Sequence, residues 1–204
     1  MSCAVQPLKR DDDLGMAEAF GRDPILERTI RGLVAEHGIK TVIETGSWRG
    51  YTTRRFSEFV GEIHSIEANP ETLDIAERNC IDTSNVWLHE GESQHLIRGI
   101  IRPRLGRLNH PVLYYLDAHW NKEWPLFDEL EAIAELDHGP CVIVIHDAQV
   151  PGKDFGFDSY GGQALTFDFV RPYLDKLKFK WTHFFNSEAD GHRRGVLFVV
   201  PCER

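Results

Sequence analysis

The feature that most constrains how this chain folds is an alternation. Short apolar runs that each end in a polar residue take turns with stretches of helical periodicity through most of the sequence. Residues 24–37 carry Ile25, Ile30, Leu33 and Val34 at helical spacing, with Gly38 where a helix stops. A strand from Thr41 to Glu44 follows, then a helix over 51–60 and a half-buried strand from Glu62 to Glu67. Asn69-Pro70-Glu71 supplies a cap, a first-turn proline and a first-turn acid for a helix through about Asn79. Val86–His89, Val112–Leu116 and Cys141–Ile145 are further strands. Helices are expected at 93–101, around Leu126, Leu130, Ile133 and Leu136, and at 163–177.

The end of the chain breaks the rhythm. Phe179–Phe185 and Gly195–Val200 are separated only by "NSEADGHRR", too short for a helical crossover, so these strands should pair as an antiparallel hairpin. Parallel βα units followed by such a pair make a Rossmann-like, doubly wound α/β sheet of seven strands, mostly parallel with a reversed C-terminal hairpin strand. We expect one domain spanning 39–204, preceded by a helical segment at 1–38. Ligands of such sheets bind beyond the carboxyl ends of the strands. Those ends are Glu44, Glu67, His89-Glu90, Asp117 and His146-Asp147, all of them polar.

Charge narrows the partners. A formal net charge of −9 offers no basic field to a nucleic-acid backbone, and the clusters Arg49/Arg54/Arg55 and Arg98/Arg102/Arg104/Arg107 are short and interrupted. The N-terminus has no signal-peptide core, and runs such as Cys141–Ile145 cannot span a bilayer, so the expectation is a cytoplasmic protein without a membrane partner. Cys3, Cys80, Cys141 and Cys202 form no C-x-x-C pair, which speaks against a zinc or redox motif. Asp11-Asp12-Asp13 reads as a solvated turn or helix start.

The stretch "VIETGSWRGY" (residues 42–51) places a glycine turn after the first strand. A dinucleotide site needs G-x-G-x-x-G so that the backbone can close on a pyrophosphate, but Trp48 fills the second-glycine position, and no Gly-Lys-Ser/Thr marks a P-loop. What remains is E-x-G-x-x-x-G, with an acid that suits a cationic ligand. Glu67 lies twenty-one positions after Gly46, where a carboxylate closing the second strand accepts from both hydroxyls of a ribose. An adenosine bearing an amino acid and a positive charge, and no phosphate, satisfies both facts. Plainer readings exist for each residue singly: Gly46 and Gly50 as turn and packing glycines, Glu67 as a solvated strand end, Ser93 as a helix cap.

Taken in this order, the residues resemble the class I S-adenosylmethionine (SAM)-dependent methyltransferases over roughly 40–200. The resemblance implies that Glu44, Gly46, Ser47 and Gly50 hold the methionine part and that Glu67, followed by Ala68, holds the ribose. It also implies an adenine loop at "EGESQHLI" with Glu92, Ser93 and Gln94, and Asp117 and His119 beside the sulfonium. The activity implied is methyl transfer (EC 2.1.1) to a small molecule, with oxygen as the expected target.

"YYLDAHWNKEW" followed by "VIVIHDAQV" is similar to the catechol-type O-methyltransferases, an alternative reading within the class. There, an Asp after the fourth strand and an Asp-Asn after the fifth bind magnesium, which puts Asp117 and Asp147 at the metal positions. Ala148 stands where the amide ligand belongs, and the lysine that serves there as base is displaced to Lys122. His146, Asp147 and His119 are the candidate catalytic residues, because a neutral hydroxyl needs a base; each His has the alternative of a strand-end imidazole bonded to backbone. The loop at 148–162, with Phe155, Phe157 and Tyr160, is either a lid over an aromatic-lined acceptor pocket or a plain connection. From other classes, a Rossmann-type NAD(P) oxidoreductase and a non-catalytic cofactor-binding protein remain, and an N-terminal arm of this kind can serve a homodimer.

Overall fold

The computed structural model describes residues 16–101, 103, 110–119, 124–136 and 139–202. Cys3, Asp11 to Asp13, Arg102, Arg104, Arg107 and Trp120 to Lys122 lie outside the described residues.

Helix α1 (Pro24–Glu36) starts where local chemistry favours it. The Asp23 carboxylate accepts from the N–H groups of Ile25 at 2.8 Å and Leu26 at 3.0 Å, and Pro24 takes a position whose missing N–H costs nothing. Its Leu26, Ile30, Leu33 and Val34 stripe is buried. The chain continues through β1 (Thr41–Thr45), α2 (Tyr51–Ser57), β2 (Glu62–Glu67), α3 (Pro70–Asn79), β3 (Val86–Glu90), α4 (Ser93–Ile101) and β4 (Val112–Leu116). After these come α5 (Leu126–Glu135), β5 (Val142–His146), a small hairpin of β6 (Ser159–Tyr160) and β7 (Gln163–Ala164), α6 (Phe167–Leu174), β8 (Trp181–Phe185) and β9 (Val196–Pro201).

Seven strands form one sheet in the order β3-β2-β1-β4-β5-β9-β8, with β9 antiparallel to both of its neighbours. Alternate residues feed opposite layers, as a pleated strand requires. Val42, Leu113, Val144 and Phe198 pack against α1 and α2, while Ile43, Tyr114, Ile143 and Val199 pack against α4, α5 and α6. Both faces are covered, which explains why β4 (VLYYL) and β5 (VIVIH) are near-continuous apolar runs rather than alternating.

The helix expected at 163–177 begins later, at Phe167. Gly161 and Gly162 both adopt positive φ (+57° and +84°) and turn β6 into β7, the geometry of a primed two-residue hairpin loop. Thr166 then caps α6 by accepting from Phe169 N–H. Among the described residues, no helix is long and apolar enough to cross a membrane.

The site-forming consequence lies in the strand order. From β1 the chain moves outward to β2 and β3, then returns to lay β4 on the other side of β1. Adjacent connections leave in opposite directions at that point, and a crevice opens beyond the strand ends.

Candidate functional site

The turn after β1 is shaped by three left-handed residues in five: Gly46 (φ +78°), Trp48 (φ +46°) and Gly50 (φ +77°). Gly46 N–H and Ser47 N–H both donate to Ile66 O, at 2.9 and 3.1 Å, so the chain folds over the end of β2. For a tryptophan this backbone is strained, at a cost on the order of 1–3 kcal/mol. It is held by Trp48 N–H donating to Glu67 Oε2 at 2.7 Å, with the indole left about half exposed over the crevice. At Gly46 a side chain would meet the backbone of β4's end, since a Cβ would lie 2.7 Å from Asp117 O. Gly50 has a different reason: its Cβ would press on Ala76 of α3 at 3.0 Å, so it is a packing glycine.

Glu44 does not line the cavity. It is buried beneath the turn, where the hydroxyls of Thr53 and Ser65 donate to its Oε2, and Ser65 Oγ lies 2.6 Å from Ser47 Oγ. The acid therefore ties α2, β2 and the turn together. Burial pushes its carboxyl up to about 7, against the two hydroxyl bonds and with help from Asp117 and Glu67. An acid with a raised folded pKa costs nothing below pH 4.5, and its penalty grows to roughly 3 kcal/mol as pH rises through 7. Glu44→Gln should therefore gain on the wild type by up to that amount between pH 5 and pH 8 in urea unfolding. A difference independent of pH would contradict this account.

Beyond the strand ends lies a cavity of ≈ 770 Å³. Glu67 closes β2 at one side of it, with Oε1 accepting from Asn69 N–H at 2.9 Å and Oε2 from Trp48 N–H. Ala68, Gly91 and Ser93 continue this wall. Ser93 Oγ donates to Glu129, a buried acid on α5. Glu92 and Gln94 do not line the cavity: Glu92 points to solvent and accepts from Gln94 Nε2 at 3.1 Å.

The opposite side is crowded with charge. His146 Nδ1 lies 3.1 Å from Asp117 Oδ1 and 3.0 Å from Asp147 Oδ1, off the line of a good hydrogen bond to either. Burial lowers the pKa of this imidazole, but the two acids outweigh it and hold it protonated well above its usual range. Burial likewise raises Asp147, and His146 and Arg194 outweigh that to hold the carboxyl well below its ordinary value. Arg194 donates from Nε to Asp147 Oδ1 and from Nη2 to Asp158 Oδ1. His119, about half exposed, places Nε2 3.9 Å from Asp147 Oδ2 and Nδ1 3.9 Å from Asp158 Oδ2.

Two segments distant in sequence close the cavity. Residues Met16–Arg22 dock on α2 through Phe20 N–H to Thr52 Oγ1 (3.0 Å), and the β8–β9 connection docks on them through His192 N–H to Gly21 O (2.8 Å) and Asp190 N–H to Asp23 Oδ2 (3.0 Å). Glu18 and His192 thereby face each other at 3.6 Å on the cavity wall. The 148–162 loop is stitched down: Asp158 N–H donates to Asp147 O at 2.9 Å and Gly156 N–H to Arg193 O at 2.8 Å. Phe155, Phe157 and Tyr160 do not line the cavity, because Tyr160 packs on Trp124 and Phe155 is buried in the loop. The side of the cavity formed by Asp117, His119, His146, Asp147, Asp158 and Arg194 is polar instead of aromatic.

Of the residues expected from the sequence, Gly46, Ser47, Glu67, Ala68, Ser93, Asp117, His119, His146 and Asp147 share this one cavity. Asp158, His192, Arg194 and Glu18 were not anticipated, since the first three enter from loops and Glu18 from the short 3₁₀ segment Met16–Arg22, none of which carries a local motif. Asp117, His146 and Asp147 bring one ligand atom each within 4.8 Å of one another, as do His119, Asp147 and Asp158. They are a poor fit for magnesium: Ala148 offers no amide, and the Arg194 guanidinium already donates to Asp147 Oδ1 and Asp158 Oδ1, oxygens that magnesium would need as ligands. Of the basic clusters, Arg54 pairs with Asp82, Arg55 with Glu27 and Glu58, and Arg98 with Glu135.

No protein-family model matches the sequence. The chain is 23% identical over 145 residues to a ribosomal RNA small subunit methyltransferase A of Rubrobacter xylanophilus, covering 69% of this chain and 53% of that protein, so it spans about half the length of the curated relative it matches. Among solved structures it is similar to the O-methyltransferase TomG from Streptomyces achromogenes, involved in tomaymycin synthesis and crystallised with SAM (TM-score 0.63, 14% identity, 96% of this chain and 93% of that one). It is also similar to an O-methyltransferase from Bacillus cereus in complex with S-adenosylhomocysteine (SAH) (TM-score 0.60, 17% identity, 87% and 81%). The chain has the Rossmann-like fold of class I SAM-dependent methyltransferases.

Proposed function

We propose that this chain, folded as a class I methyltransferase, binds SAM in the cavity at the β1–β4 switch and moves its methyl group to a hydroxyl of a small molecule. The observation that carries the reading is the Glu67 carboxylate, fixed by two backbone N–H groups at the end of β2 and facing a cavity whose floor at Gly46 admits no side chain. Glu67 and Ala68 would hold the ribose, Gly91 and Ser93 the purine side, the Gly46-Ser47 backbone the amino-acid part, and Asp117 the positive charge. When bound, SAM supplies an electrophilic methyl carried on a sulfonium.

The chain's own task is to place and deprotonate the acceptor. His119 suits the base better than His146, because its exposed ring enters the cavity with both nitrogens beside carboxylate oxygens, whereas His146 is wedged between Asp117 and Asp147. Asp147 is bonded to Arg194 and so acts as an orienting group. A cavity of ≈ 770 Å³ is within the range of small-molecule sites.

One test separates the readings. Isothermal titration should show SAH binding and no NADH binding, and labelled SAM should methylate hydroxyl acceptors in a small-molecule panel. The rRNA methyltransferase relative favours a second acceptor class, so ribosomal RNA belongs in the same panel; label in RNA alone would replace the small-molecule reading. Absence of SAH binding would end the proposal, and SAH binding without transfer to any acceptor would favour a binding protein.

A further inference from the structure

Arg194 reaches the centre of the charged cluster from the β8–β9 connection, and its placement is built. Gly195 N–H donates to Gly156 O at 2.8 Å and Ala148 N–H donates to Gly195 O at 2.9 Å, which pins the backbone beside Arg194 against the exit of β5. A Cβ on Gly195 would overlap Ala148 O, and a Cβ on Gly156 would lie 2.9 Å from Arg194 Nη1 and 3.2 Å from its Cδ. Gly156 thus leaves the slot for the guanidinium, and Gly195 lets the adjoining backbone close on Ala148. From that slot, Arg194 takes Oδ1 of Asp147 and Oδ1 of Asp158, while Oδ2 of each stands 3.9 Å from one nitrogen of His119. The four side chains form a closed ring.

We propose that Arg194 is a built-in cation that occupies the carboxylates of Asp147 and Asp158 in place of a divalent ion, and that it presents both acids to His119 in a fixed orientation. The planar fork of a guanidinium binds two carboxylates at set angles, which a lysine ammonium cannot do. A divalent ion at these carboxylates would stand within a few ångström of the fixed positive charge and be repelled by it. Arg194 is on this account a positioning residue. What it positions His119 to do rests on the methyltransferase reading; its exclusion of metal does not.

The test uses the whole chain with Mg²⁺ and Mn²⁺ as probes. In the wild type, calorimetry should find no saturable binding of either ion, and methyl transfer should survive EDTA. Arg194→Met uncovers the oxygens of Asp147 and Asp158, so Mn²⁺ should now bind saturably and raise Tm, reversibly on chelation, while kcat falls roughly 100-fold, the scale of a small misplacement of a reacting group. A merely structural arginine would lower Tm without creating an ion site. Arg194→Lys keeps the charge without the fork: it should bind no metal and still lose kcat, and it serves if the methionine variant does not fold. Saturable Mn²⁺ binding by the wild type with activity lost to EDTA overturns the proposal, as does an Arg194→Met protein that folds and binds no ion. Failure of SAH to bind would sink the methyltransferase reading alone, because the metal titrations need no cofactor.

Discussion

Gly46→Val is expected to abolish SAH binding and to lower Tm by roughly 10 °C. Valine at φ +78° is strained by an order of 1–3 kcal/mol, and its Cβ would sit 2.7 Å from Asp117 O and 3.0 Å from Ala118 Cα, which adds an overpacking cost of about 1–3 kcal/mol. Both obstacles are backbone, so no rotamer change relieves them. At about 2–4 °C per kcal/mol for a chain of this size, the sum lies near 10 °C and leaves a folded protein. The relief available is movement of the turn away from β4, and that deforms the floor of the proposed cofactor site. Gly50→Ala is the control: it presses on Ala76 with a comparable stability cost, yet its contact lies between α2 and α3, away from the cavity. Differential scanning fluorimetry with calorimetric SAH titration reads both. A Gly46→Val protein that binds SAH with wild-type affinity would remove this turn from the cofactor site.

Glu67→Ala should weaken SAH binding by roughly 10²–10⁴-fold. Each hydrogen bond from a ribose hydroxyl to an ionised carboxylate is worth about 1.5–3 kcal/mol, and the reading assigns two. The same truncation strips the acceptors from Trp48 N–H and Asn69 N–H, so the strained turn loses its anchor as well. Glu67→Gln separates the contributions, since an amide keeps one oxygen but loses the charge and one acceptor; a loss nearer tenfold is expected. Calorimetry decides, and unchanged affinity in the alanine variant would mean that the ribose is held elsewhere.

The reach of local pattern is visible in particular residues. Asn69 before Pro70 announces its helix because a cap is written within four residues of sequence, and it functions as read. Asp23 before Pro24 caps α1 in the same way, a signal the spacing of apolar residues alone did not bring out. Gly161-Gly162 was equally explicit as a hairpin signal, and the helix expected to start at 163 overlooked it. Glu44 shows the limit on the other side. An acid ending a strand beside a glycine turn looks the same in sequence whether it faces a ligand or, as here, fastens Thr53 and Ser65 from beneath. Only the rotation of that side chain about its strand separates the two, and a period of two leaves one-residue differences at strand ends open.

By itself, the sequence determined the elements, their order, the reversed hairpin and the gathering of polar strand ends at one edge, because these follow from periodicities of two and 3.6 and from rules of chain connection. Only the tertiary structure decided what stands at the charged side of the cavity. Arg194 meets Asp147 because β9 lies antiparallel beside β5, with Val196 opposite His146, which brings a loop residue to a strand end across 47 positions of chain. Asp158 joins them because the 148–162 loop is bonded back onto β5's exit, and Glu18 meets His192 because the N-terminal turn docks on the β8–β9 connection. Contacts of that separation depend on which strands neighbour each other in space, a property of the assembled sheet that no local pattern carries.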